Sequence, residues 1–157
     1  MTTGPDERIR IELNDKTVVI GVFCGTLAGA LFGSMVTATP MMANLGALFG
    51  EGPNVGWGVH LTASGLFGLL YAVVASIGAV SRYASNVLTG TLVAAIYGIA
   101  LWLVGGSLVV PAVFGGSVAY EIDGLSFLGH LIYGGLLGAS FATALHSSVP
   151  ILPTTRD

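Results

Sequence analysis

The sequence predicts an all-α membrane protein whose four transmembrane helices form two tandem duplicated helical hairpins. Three observations carry that prediction. Only 13 of the 157 residues are charged (8 Asp or Glu, 5 Lys or Arg), against 54% hydrophobic residues and 24 glycines. A soluble domain carries roughly a quarter charged residues, so this chain lacks the polar surface to coat a globule. The charges are also unevenly placed: between Thr17 and Pro153 they are Glu51, Arg82, Glu121 and Asp123. Third, the chain resembles itself at an offset of 70 residues. The first two observations exclude a soluble enzyme domain, a disordered chain and a basic nucleic-acid binder, so no nucleic-acid partner is expected.

About 20 apolar residues cross the hydrocarbon core as a helix. Residues 1–16 precede the first such stretch as a polar, mixed-charge cytoplasmic segment, expected to be loose or surface-lying. Span one, 17–38, is longer than the apolar region of a signal peptide and is read as a retained helix. It carries Gly21, Gly25, Gly29 and Gly33, three overlapping GxxxG motifs. Pro40 ends it, and span two follows at 56–80 with Ser64, Gly68 and Ala72 behind His60. A short cytoplasmic loop, 81–86, leads to span three at 87–110, where Gly105–Gly106 is expected to loosen the helix. Span four, 125–145, places Gly134, Gly138 and Ala142 behind His130. The tail 146–157 begins with His146, suited to a helix C-terminus, and its two prolines limit any further helix.

Apolar burial cannot drive helices together inside lipid, so close contact across small-residue faces must. Those faces are read first as packing within the bundle, with a surplus available to a homo-oligomer or a larger membrane complex. The single cysteine, Cys24, excludes an internal disulfide and reads as a small packing residue. Orientation follows from the cations. Arg8, Arg10, Lys16, Arg82 and Arg156 all fall on one side of a four-span chain, which predicts a multi-pass plasma-membrane protein with both ends cytoplasmic.

The offset of 70 aligns Glu51 with Glu121, His60 with His130, Leu61 with Leu131 and Gly65 with Gly135. Leu66 with Leu136, Gly68 with Gly138 and Ala72 with Ala142 complete seven identities, where about two are expected by chance. Spans one and three match only weakly. Two copies entering the membrane in the same direction imply a pseudo-twofold axis along its normal, with both histidines about one turn inside the outer surface.

No Asp, Glu, Lys or Arg lies within a span, and no Ser-His-Asp set, P-loop or zinc-protease motif occurs. The expected role is therefore non-catalytic. What could carry chemistry is the paired pattern Glu51…Trp57…His60 and Glu121…Phe127…His130. In the structural reading, each imidazole bonds a backbone carbonyl or the loop glutamate and pins loop to helix. Alternatively His60 and His130 are axial ligands of one b-type haem, with Ser64 and Gly134 leaving room for the flat macrocycle. A divalent metal held by His60, His130, Glu51 and Glu121 is a further option. The last is a polar passage for a small solute or proton, lined by imidazoles, a group that changes charge near neutral pH.

The run WGVHLTASGLFGLLYAVV, a third span ending near Pro111, and then SFLGHLIYGGLLGASFA resembles the YagU-like family of small inner-membrane proteins. It is also similar to short haloarchaeal membrane proteins of unknown function. The resemblance covers roughly residues 57–145; the YagU-like proteins carry a longer segment between spans one and two. It implies a polytopic membrane protein without a known enzymatic activity and supplies no established binding residues. The resulting expectation is a stabilising or accessory component of a membrane assembly, embedded in the lipid bilayer.

Overall fold

Asn14 sets where the chain enters its first helix. Its side chain accepts a hydrogen bond from the Thr17 N–H (3.0 Å), and Asp15 follows in the first turn, where a negative charge suits the helix dipole. The structure, a computed structural model, describes residues 10–37, 39–109 and 124–147. The helices are α1 (Asp15–Met35), α2 (Met41–Ala47), α3 (Pro53–Ala75), α4 (Gly78–Ala84), α5 (Val87–Leu101) and α6 (Gly124–His146). A π-helical stretch, Trp102–Val109, continues α5 through the Gly105–Gly106 pair. Four helical stretches are long and apolar enough to cross a membrane: α1, α3, Val87–Gly105 and α6. The chain is an all-α membrane protein.

Several boundaries differ from the sequence reading, each for a local reason. Span one stops at Met35. The connection to α3 then contains a helix of its own, α2, and turns at Gly50, whose φ of 72° suits a residue without a side chain. α3 starts at Pro53, which needs no N–H in the first turn, so His60 lies two turns inside the helix rather than one. α3 ends at Ala75 instead of continuing to Val80: Ile77 is extended, and the apolar run continues as α4. The 81–86 loop is therefore largely helical. The N-terminal segment is docked rather than loose, at least from residue 10. Ile11 is buried and its N–H donates to Ser81 Oγ (2.6 Å), tying the segment to α4.

Many large apolar side chains point outward, and small residues line the seams within each hairpin. Val19, Phe23, Leu27, Leu31 and Met35 form an exposed ladder along α1, and Leu88, Leu92 and Ile96 do the same on α5. Inside, helices meet backbone to backbone. A Cβ on Gly25 would overlap the Ser64 carbonyl and one on Gly21 the Gly68 carbonyl, whereas the bare Gly33 makes room for the Trp57 side chain. In the second hairpin a Cβ on Gly134 would overlap the Ala94 carbonyl, and one on Gly138 the Gly90 carbonyl. Gly21, Gly25, Gly29, Gly33, Ser64, Gly68, Ala72, Gly134, Gly138 and Ala142 are all buried within the single chain. At these positions no small-residue surplus faces outward.

α1 packs on α3 and α6, and α6 packs on α5. By contrast, α3 and α5 meet through long side chains. Tyr97 Oη donates to the Phe67 carbonyl (2.8 Å), and the Tyr71 and Tyr97 rings lie 5.4 Å apart. The gap those side chains span leads to the site.

Candidate functional site

His60 and His130 stand at matching depths, seven residues into α3 and six into α6, or about 10 and 9 Å along their axes. Each ring is held through one nitrogen. His60 Nε2 lies 2.9 Å from the Gly29 carbonyl, which accepts only, so that nitrogen carries the proton. Gly29 allows this approach because its bare Cα faces Ser64 and the imidazole. His130 Nδ1 donates to the Ser126 carbonyl one turn back (2.8 Å). The two rings therefore present opposite tautomers. In the neutral rings the lone pairs then sit on His60 Nδ1 and His130 Nε2.

Both imidazoles line one chamber of about 420 Å³ between α3, α5 and α6, covered by Met41 and Leu45 of α2. Its wall is mostly apolar, with Phe32, Phe67 and Leu101, and its polar points are the histidines, Ser64, Ser126 and Tyr133. Among the described residues no Asp, Glu, Lys or Arg lines it. A second cavity of about 410 Å³ lies toward Thr39 and Asn44, and it shares Phe32, Met41, Ser126 and His130 with the first. Phe32 forms the partition: its ring packs on the bare backbone of Gly129 and stands 6.0 Å from the His60 ring.

Below the chamber lies a layer of tyrosines. Tyr133 Oη donates to the Ser64 carbonyl (2.7 Å), Tyr97 Oη to that of Phe67 (2.8 Å) and Tyr71 Oη to that of Gly90 (3.4 Å). Tyr71 also meets Phe141 edge-on at 5.3 Å. A buried phenol hydroxyl needs an acceptor, and here each one takes a helix carbonyl from the other hairpin.

The other anticipated residues are placed differently. Glu51 is exposed in the turn between α2 and α3 and does not line the chamber; Glu121 lies outside the described residues, as does Pro111. Among the described residues no three His, Cys, Asp or Glu side chains converge. The room expected for a macrocycle beside Ser64 and Gly134 is filled, because α1 packs against the first and α5 against the second. Trp57 meets His60 edge-on at 6.0 Å, whereas Phe127 packs on Trp102. His146 bonds the Ala142 carbonyl (2.7 Å) at the far end of α6, and Cys24 is buried.

Sequence reasoning missed Met41, Phe32, Phe67 and the three tyrosines. The tyrosines carried a usable signal, since a hydroxyl inside a span must find a partner; Met41 carried none. Comparison with protein families, with curated proteins and with solved structures finds no match to this chain.

Proposed function

We propose that this protein is a non-catalytic membrane component that holds a small solute in the chamber beside His60 and His130. The observation that carries the reading is a chamber of about 420 Å³ lined by two imidazoles, each already tied to a carbonyl through its other nitrogen. The tyrosine layer beneath it favours holding a solute over passing one straight through. Burial of the small residues within one chain favours this reading over a role defined by association with partner helices. On the positions of the cations, the chamber faces the outer side and both termini are cytoplasmic.

The duplication belongs to the same proposal. Gly21 packs on Gly68 and Gly25 on Ser64, as Gly90 packs on Gly138 and Ala94 on Gly134. The partners are related by an offset of 70 in α3 and α6, but of 69 in α1 and α5. A one-residue shift of this kind explains why the first and third spans align weakly at a single offset.

Cysteine labelling tests the chamber. In a Cys24→Ala background, Ala63→Cys should react with a small methanethiosulfonate added on the α2 side. Ala72→Cys, fully buried beside Tyr71, should stay unreactive. Equal reactivity at the two positions would remove the reading.

A further inference from the structure

Resting on that reading, we infer that the chamber takes a soft monovalent metal ion, copper(I), between His60, His130 and Met41. Three features point to it. A metal-ligating histidine characteristically donates its other ring N–H to a carbonyl or carboxylate, which fixes the tautomer and raises the basicity of the free nitrogen. His60 and His130 both have that arrangement, to Gly29 and Ser126. Among the described residues neither His60 Nδ1 nor His130 Nε2 has a hydrogen-bond partner, and no buried side-chain nitrogen or oxygen lacks one. The two lone pairs therefore open onto accessible space, and the chamber is the cavity that both rings line.

The third feature is the character of the remaining donors. Met41 sits at the start of α2 and lines the same chamber, contributing a thioether. Imidazole with thioether is a soft set that suits copper(I), whereas magnesium, calcium and manganese call for oxygen ligands. Among the described residues the chamber wall carries no acidic side chain, which points the same way. An uncompensated charge in an apolar wall is costly, and the Born cost rises with the square of that charge, so a monovalent ion is far cheaper to accommodate than a divalent one.

The test is an anaerobic titration of the purified full chain in detergent with copper(I) buffered by bicinchoninate. One ion per chain should be taken up. His60→Gln and His130→Gln should each weaken uptake by more than about 100-fold, beyond the ~10–100-fold typical of losing a group that only hydrogen-bonds a ligand. Glutamine at position 60 keeps an amide N–H for the Gly29 carbonyl but offers no imidazole nitrogen, so a folded variant without copper(I) affinity separates ligation from tethering. Met41→Leu should weaken copper(I) by about 10-fold, leave weak zinc(II) binding unchanged, and abolish the sulfur shell in X-ray absorption. Uptake that is equal in wild type and in the double His→Gln variant would overturn the proposal, as would a nitrogen-only shell unaffected by Met41→Leu. If Ala63→Cys is labelled but copper(I) is ignored, the metal falls and the chamber stands; if Ala63→Cys is inert, both fall.

Discussion

Within each hairpin, backbone meets backbone; between the hairpins, side chain meets backbone. The first kind of contact joins Gly21 and Gly25 to Ser64 and Gly68, and Gly90 and Ala94 to Gly134 and Gly138. The second is made by Tyr71, Tyr97 and Tyr133, each reaching a carbonyl across the gap, and by Phe32 lying on Gly129. Glycine seams hold helices at one separation because no side chain can yield. Long aromatic struts hold them further apart and leave volume beside the ring edges. The chamber lies in that looser layer; His60 is anchored from the rigid one at Gly29, and His130 from its own helix at Ser126.

The comparison breaks most visibly at a glycine. Gly25→Leu and Gly134→Leu each drive a side chain into a carbonyl of the facing helix, and neither neighbour can move without displacing a whole span. Each is expected to cost about 3 kcal/mol, at the upper end for overpacking. In detergent this should appear as loss of the monodisperse folded peak. Retention of wild-type thermal stability by either variant would mean that the hairpin seam is as adaptable as the layer between hairpins.

The tyrosine layer should respond more weakly. Tyr133→Phe removes one hydroxyl bond and leaves the ring in place, and bonds of this kind inside bilayers average about 0.6 kcal/mol. Tyr97→Phe should behave alike. Because their acceptors, Ser64 and Phe67, lie on the same stretch of α3, the double variant should depart from strict additivity. Reversible unfolding in mixed micelles measures all three. A loss as large as that of Gly25→Leu would show the struts to be as rigid as the seams.

This division explains what could be read from the sequence. The four spans were legible because charge is absent from long stretches, a signal that survives any packing arrangement. Their ends were less so. The apolar run after Ala75 continues into α4, whose buried Ser81 and Ala84 serve contacts at the helix ends rather than a crossing. α2 has seven residues and no side-chain cap, so nothing local announced it. The histidines stood out by type, and at their N–H groups the structure favours a carbonyl partner over the loop glutamate for His60. Met41 enters the site through the fold of a connection, and no periodicity records that.

The smallest effect sharpens the comparison from the other side. Gly58 lies exposed on α3, two residues before His60, and a Cβ there would meet nothing within 4 Å. If glycine matters only where two backbones meet, Gly58→Ala has no contact to disturb. It should gain the helix preference of alanine, at most about 0.5–1 kcal/mol. The gain should fall toward the low end, because a span unfolded within lipid remains helical and the reference state shares the benefit. Thermal unfolding of Gly58→Ala beside Gly25→Ala is the measurement, with a slight rise expected for the first and a clear fall for the second. A fall for Gly58→Ala at high protein concentration that vanishes on dilution would assign this glycine to contact with a second copy, extending the backbone-to-backbone rule beyond the single chain.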